Sequence, residues 1–178
     1  MIQIIDNFFD DQTCDQLRQY MLDAKNFDEV YHDYAAINFY DQSPEVSFIQ
    51  NKVHELKNFT YLRSWSFIYK NFSRGVLPHA DPSTYTLSVW VTPDESILDW
   101  RENGLNIYMV KPIADNDTNY TNGHEYIYSI IKDVNPVKIP YRYNRAILFD
   151  SRYIHSSDNV SMKSGLENRR VSYTYLFG

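Results

Sequence analysis

His79 and Asp81 stand two residues apart, in His79-Ala80-Asp81, on a run that reads as a strand. Residues i and i+2 of a strand project from one face, so the imidazole and the carboxylate converge. His155 follows the apolar run Ala146-Ile147-Leu148-Phe149-Asp150 and the turn Ser151-Arg152-Tyr153, near the far end of the strand-rich part of the chain. Two imidazoles and one carboxylate on one face suit a divalent transition-metal ion with further coordination positions left open. A closed structural zinc site needs a fourth protein ligand instead. Taken alone, His79 reads equally well as a hydrogen-bonded strand histidine, and it is the distal His155 that favours a metal site. His32, His54 and His124 lie in polar or helical surroundings, and His124 is the first substitute ligand to consider.

A second group lies at the end of the chain, in Arg169-Arg170-Val171-Ser172-Tyr173-Thr174-Tyr175-Leu176-Phe177. Alternation puts Arg170, Ser172 and Thr174 on one face and Arg169, Val171, Tyr173 and Tyr175 on the other. An arginine on the inner face of a β-rich core is costly unless it meets an anion, and its planar fork matches a carboxylate. A surface arginine on an edge strand is the plain alternative. The metal-ligating pattern upstream favours the anion clamp.

These side chains need a frame. Residues 1–5 read as a short strand and 11–24 as a helix capped by Asp10 or Asp11, with Cys14, Leu17, Met21 and Leu22 on one face. Residues 35–40 suit a strand, and Ser43-Pro44-Glu45 opens a second helix that runs to about Asn58. After residue 60, short apolar or alternating runs follow one another, at 63–70, 76–81, 84–92, 104–111, 124–131, 136–140, 145–150, 153–157 and 169–177. The plainest is Tyr85-Thr86-Leu87-Ser88-Val89-Trp90-Val91-Thr92, alternating and rich in β-branched and aromatic residues. The pattern predicts a mainly β sandwich or jelly roll flanked by two N-terminal helices. Residues 1–60 would be the support and 61–178 the core of a single domain spanning residues 1–178. The stretches 93–103 and 112–123 are polar, acidic and longer than hairpins require.

Composition bounds the function further. Aromatic residues make up 16% of the chain, too many for a disordered protein. A single cysteine, Cys14, excludes an internal disulfide and any cysteine-rich zinc or iron–sulfur site. No run approaches a transmembrane length and no secretory pattern opens the chain, so a cytoplasmic protein without a membrane span is expected. The net charge of −6 hides a gradient: residues 1–60 carry 4 basic and 11 acidic side chains, while 138–178 carry 7 and 3. An acidic chain argues against a nucleic-acid partner and leaves a peptide or a small molecule as the expected one.

In their order and joint spacing these motifs resemble the Fe(II)/2-oxoglutarate-dependent oxygenases, and among them the small prolyl 4-hydroxylase-like enzymes. The resemblance covers about residues 61–178 and, more loosely, Ile4-Ile5-Asp6-Asn7-Phe8-Phe9. It implies a double-stranded β-helix, the cupin-like jelly roll. It implies iron on His79, Asp81 and His155, and Arg170 on the distal carboxylate of 2-oxoglutarate within an Arg-x-Ser pattern that brings in Ser172. Tyr69, ten residues before His79, has the spacing of a tyrosine that assists on that carboxylate. Asn103-Gly104-Leu105-Asn106-Ile107-Tyr108 is similar to the family's Gly-Gly-x-Leu strand, with one glycine in place of two. Alternation along it is expected to set Asn106 and Tyr108 on the inner face, within reach of the co-substrate. The His155–Arg170 spacing of 15 residues exceeds that of many prolyl hydroxylases.

The implied reaction consumes O2 and 2-oxoglutarate, releases succinate and CO2, and hydroxylates a peptidyl or small-molecule substrate. Loops 93–103 and 112–123 would form a lid at the entrance, near Trp90 and Trp100, and Asp94, Glu95, Asp99 and Glu102 would favour a neutral or cationic substrate. Two other readings stay open. One is a cupin-type metal dioxygenase without 2-oxoglutarate, which has no use for Arg170. The other is a non-catalytic jelly-roll binding module.

Overall fold

The computed structural model describes residues 1–39, 49–113 and 116–178. In chain order the strands among these are β1 (Ile2–Asp6), β2 (Glu29–Val30), β3 (Tyr34–Phe39), β4 (Tyr61–Tyr69), β5 (Phe72–Ser73), β6 (Tyr85–Trp90), β7 (Leu105–Ile107), β8 (Val137–Ile139), β9 (Arg145–Asp150), β10 (His155–Ser157), β11 (Val160–Ser161) and β12 (Val171–Phe177). The largest sheet is antiparallel and runs β1-β9-β6-β12-β4-β3-β2. β12 lies between β6 and β4 and is buried along its whole length. A strand covered on both faces has no solvated face to display, which is why it carries no charged residue.

One face of this sheet is closed by helices. Helix α1 (Asp11–Asp23) starts where Asp10 accepts a hydrogen bond from the Thr13 backbone N–H at 2.8 Å. Cys14 and Met21 of α1 pack with Ile49, Val53 and Leu56 against Ile68, Leu87, Val89, Leu148, Val171, Tyr173 and Tyr175. Each large apolar side chain buried this way contributes about 1.5–3 kcal/mol. Of the expected second helix, residues 40–48 lie outside the described residues. The rest is helical at 49–52 and then forms a 3-10 turn at His54–Leu56.

The opposite face looks onto two smaller antiparallel sheets, β10-β7-β8 and β11-β5. Trp90, Leu105, Ile107, Ile139, Tyr141, Ile147 and Phe149 fill the space between. Two facing antiparallel layers are the arrangement of a jelly roll. No helix among the described residues is long and apolar enough to cross a membrane.

Two expected strands are absent. Residues 124–131 form helix α2 (Glu125–Ile131), capped by His124, whose Nδ1 accepts from the Tyr126 N–H at 3.2 Å. The aromatic and β-branched residues of this stretch suit a strand in isolation. Packing decides instead, because Ile127 and Ile131, one turn apart, bury against Ile154. Residues 76–81 are not a strand either, and only His79 forms a β-bridge.

The single glycine of Asn103-Gly104 has a geometric reason. A Cβ on Gly104 would lie 2.1 Å from the backbone oxygen of Ile139 in β8. Asn103 takes a φ of 70°, a region asparagine tolerates, and its Oδ1 accepts from the Ser161 N–H at 2.6 Å. Position 103 therefore accepts a side chain and position 104 does not. Gly104→Ala is expected to push β7 off β8 and cost about 1–3 kcal/mol, read as a lower urea midpoint. An unchanged midpoint would contradict the close approach.

Candidate metal centre

Two backbone hydrogen bonds bring together residues that are far apart in sequence. The His79 N–H donates to the His155 carbonyl at 3.0 Å, and the His155 N–H donates to the His79 carbonyl at 2.8 Å. Residues paired in this way project to the same side, and the two rings lie 4.4 Å apart between centroids. Asp81 is fixed separately: its N–H donates to the Ser151 carbonyl at 2.9 Å. The Thr86 hydroxyl donates to Asp81 Oδ2 at 2.7 Å.

The surroundings select one nitrogen on each ring. His79 Nδ1 lies 2.8 Å from the Leu77 carbonyl and His155 Nδ1 lies 2.9 Å from the Tyr153 carbonyl. A carbonyl only accepts, so Nδ1 carries the proton in both and Nε2 keeps a lone pair. Those nitrogens face the carboxylate, with His79 Nε2 at 3.6 Å from Asp81 Oδ1 and His155 Nε2 at 3.4 Å from Oδ2. One ligand atom from each of the three residues lies within 4.8 Å of the others, a grouping that could hold a metal ion. Donors about 2.1 Å from one ion and at right angles lie about 3 Å apart, close to this spacing. Burial opposes ionisation of Asp81, but His155 and His79 beside it hold its carboxyl well below the usual carboxylate range. Burial works against a charged His79 as well, yet Asp81 raises it above the ordinary imidazole value. The cluster is thus already organised around an anion.

Beside the triad a cavity runs into the space between the sheets. Its walls carry hydroxyls from Thr86 and Ser88 of β6, Ser172 and Thr174 of β12, and Ser157 of β10. Arg170 also lines it and is only 1% exposed. Its guanidinium carbon lies 4.7 Å from the Tyr69 ring, 5.4 Å from Trp90 and 5.8 Å from Tyr141. Aromatic faces temper a cation but accept no strong hydrogen bond from it. Arg170 Nε and Nη1 are buried without a hydrogen-bond partner, and so is the Trp90 indole N–H. A cage of buried, unmatched donors around a positive charge is built for an anion.

The structure sorts the other expected site residues. Tyr69 and Ser172 line the Arg170 cavity, and the Tyr69 hydroxyl lies 3.3 Å from Ser157 Oγ. Asn106 and Tyr108 do not reach it. Leu105 lines the cavity and Ile107 packs between the sheets, so alternation turns Asn106 the other way. Tyr108 packs with Ile127, Ile131 and Ile154 beneath α2. The expected parity along this strand is off by one, because the apolar residues 105 and 107 claim the core. His124 is the α2 cap and stands outside the triad.

Loop 93–103 is not shaped as a lid. Leu98 N–H donates to the Ser161 carbonyl at 3.0 Å and Ile97 bridges Met162, which pins the loop beside β11. Asp94 accepts from the Tyr143 N–H, and Asp99 pairs with Arg101. None of the four loop acids lines the cavity. Trp100 is 75% exposed, whereas Trp90 sits at the closed end with Arg170.

A second, outer compartment shares His79, Asp81, Trp65, Phe67 and Val76 with the first. It opens past Glu29 and Tyr31, Tyr34 of β3, Arg63 of β4, and Tyr120 and Asn122. The Trp65 indole N–H faces no hydrogen-bond acceptor although it is buried. Of the residues at this opening, sequence reasoning reached Tyr120 and Asn122, within the 112–123 loop expected at the entrance, but not Glu29, Tyr31, Tyr34 or Arg63, nor did it reach Thr86. For Thr86 a signal existed, since Thr86, Ser88 and Trp90 share one face of the plainest strand. For the β2, β3 and β4 walls of the outer compartment none did, because they meet only when β2 and β3 add to the edge of β4.

No protein-family model matches the chain, and no curated protein matches it. Solved structures do. The non-haem alpha ketoglutarate dependent epimerase SnoN from nogalamycin biosynthesis is 12% identical over 99% of this chain and 77% of its own, with a TM-score of 0.68. HygX from Streptomyces hygroscopicus, solved with nickel and 2-oxoglutarate bound, is 9% identical over 99% and 82%, with a TM-score of 0.66. EctD from S. alaskensis, solved in its apoform, is 12% identical over 99% and 72%, with a TM-score of 0.62. At these identities the likeness is one of architecture, and this chain has the fold on which SnoN and HygX are built.

Proposed function

We propose that the protein is an Fe(II)/2-oxoglutarate-dependent oxygenase that hydroxylates a small-molecule or peptidyl substrate. The observation that carries this reading is the pairing of two features on one cavity: a His-Asp-His cluster at one end and a buried arginine without partners at the other. A cupin-type dioxygenase or a binding module explains the cluster but leaves Arg170 an unpaid buried charge. The 2-oxoglutarate in HygX, which has the same fold, supports the co-substrate.

The residues fit both groups. His79 Nε2, His155 Nε2 and Asp81 would hold the iron, a borderline metal suited to imidazole and carboxylate. Arg170 Nε and Nη1 would take the distal carboxylate of 2-oxoglutarate as a charge-assisted fork, with Tyr69 and Ser172 beside it. Fe(II), Asp81, the 2-oxoglutarate dianion and Arg170 then sum to zero formal charge, which a dry cavity tolerates far better than a net charge. Held there, iron with 2-oxoglutarate would supply the oxidising power to place one atom of O2 in a substrate C–H bond, the other atom going to succinate as CO2 is released. The chain's own tasks are orientation and exclusion of water. Thr86 locks the Asp81 carboxylate, the Leu77 and Tyr153 carbonyls lock the imidazoles, and Phe149 packs edge-on against His155 at 4.8 Å.

Alanine at His79, Asp81 or His155 is expected to weaken Fe(II) or Ni(II) binding about 100-fold or more by calorimetry, with far-UV dichroism unchanged. Thr86→Val, which removes only the lock on Asp81, should weaken it about 10- to 100-fold. Native affinity in all four variants would put the metal elsewhere.

Arg170→Leu is expected to weaken 2-oxoglutarate binding to the Ni(II) protein about 100-fold, the scale of a lost charge-assisted pair. Arg169→Leu should change it less than about twofold. Without ligand, Arg170→Leu should unfold at a urea concentration no lower than the wild type, because it removes an unmatched buried charge. A destabilised apo variant with normal 2-oxoglutarate affinity would make Arg170 a structural residue.

A further inference from the structure

The outer compartment carries two opposite charges, Glu29 and Arg63, and neither forms a salt bridge among the described residues. Glu29, on β2, spends its carboxylate on neutral donors: the Tyr31 hydroxyl donates to Oε2, and Asn38 Nδ2 donates to Oε1 at 3.0 Å. These bonds, that of Tyr31 first, keep its carboxyl below the usual range, with help from Arg63. A carboxylate has about four lone-pair sites, so Glu29 can still accept from a ligand. Arg63, on β4, makes no hydrogen bond or ion pair with any described residue. Its guanidinium lies 5.2 Å from the Trp65 ring centroid, and none of its five donors is used by a described residue.

Both residues line the compartment that His79 and Asp81 also line. The sheet register shows why they do not pair with each other. Glu29 lies opposite Ala36, and Ala36 lies opposite Phe67, four residues along β4 from Arg63. Two strand spacings across and four residues along separate the two Cα atoms by roughly 15 Å. Arg63, Trp65, Phe67 and Tyr69 alternate along β4 and form one row, with Tyr69 near Arg170 and Arg63 at the opposite end. Trp65, opposite Asn38 of β3, lies between the two levels, and Tyr34 walls the compartment beyond Glu29.

We propose that this compartment binds a small zwitterion, with an amine at one end, a carboxylate at the other and the reacting C–H bond between them. The inference rests on the oxygenase reading of the adjoining site. The amine meets Glu29 and the carboxylate meets the fork of Arg63. The connecting methylenes lie along Trp65, and the carboxylate end sits level with Asp81, because Arg63 pairs with Leu176, Leu176 with Thr86, and Thr86 donates to Asp81. Hydroxylation there inserts one atom of O2 into a C–H bond, with 2-oxoglutarate as the two-electron reductant. A singly charged molecule of the same length leaves one of the two charges unmatched, and a polyanion meets Glu29 with like charge.

The probes are ω-amino carboxylates from 3-aminopropanoate to 7-aminoheptanoate, with alkylamines and alkyl carboxylates of matching length as controls. Each is titrated calorimetrically into the full-length Ni(II) protein saturated with 2-oxoglutarate. At least one zwitterion is expected to bind about tenfold or more tightly than both of its singly charged controls. Arg63→Gln should abolish its advantage over the amine, and Glu29→Gln its advantage over the carboxylate. Both variants should keep wild-type 2-oxoglutarate affinity, since neither residue lines the Arg170 cavity. Controls that bind as well as the zwitterions, variants that keep the selectivity, or no probe binding while 2-oxoglutarate binds normally would each overturn the zwitterion site and leave the oxygenase reading standing. Failure of 2-oxoglutarate to bind the wild type would overturn both.

Discussion

An arginine buried to 1% exposure with Nε and Nη1 unmatched is the constraint on which the site depends. Taking an unpaired guanidinium out of water costs several kcal/mol, against a total stability of about 5–15 kcal/mol for a domain of ordinary size. The fold holds this charge in place by other means. Val171, Tyr173, Tyr175 and Phe177 anchor β12 to the helical layer, and alternation then obliges Arg170, Ser172 and Thr174 to face the cavity. Tyr69, Trp90 and Tyr141 surround the guanidinium with ring faces, and Trp90 stacks on Tyr141 at 5.0 Å. Such a cage keeps the side chain extended and leaves its donors for a ligand.

The other end of the cavity is held by shorter-range devices. A single β-bridge sets two imidazoles side by side, and two backbone carbonyls fix which nitrogen each presents. The carboxylate comes from a turn, not from a strand, and is aimed by the Thr86 hydroxyl. Thr86 lies on the same row of β6 as Ser88 and Trp90, so one strand touches both the Asp81 end and the Arg170 end of the cavity. The large sheet thus works as a ruler that sets the distance between a cation site and an anion clamp.

How much of this was legible in the sequence follows from the range of the interactions. The β12 face and the isolation of Arg169 from Arg170 were readable, because strand periodicity is local and the apolar set is unambiguous. His79, Asp81 and His155 were also named from the sequence, although the strand expected to carry the first two is only a bridge at His79. The helix at Glu125–Ile131 was not, since its residues favour strand and only contact with Ile154 makes it helical. The parity of Leu105–Ile107 was not, because three residues are too few to fix which face is apolar without seeing the opposite sheet. The outer compartment was least legible of all. It draws on β2, β3, β4 and the 120–122 turn, whose meeting depends on sheet order.

The most direct measurement of the central claim is a crystal structure of the protein prepared anaerobically with Fe(II) and 2-oxoglutarate, with iron located by its anomalous signal. The account predicts one iron bound by His79 Nε2, His155 Nε2 and Asp81, with a carboxylate of 2-oxoglutarate on Arg170 Nε and Nη1. Iron on other side chains, or 2-oxoglutarate that leaves Arg170 unmatched, would contradict it.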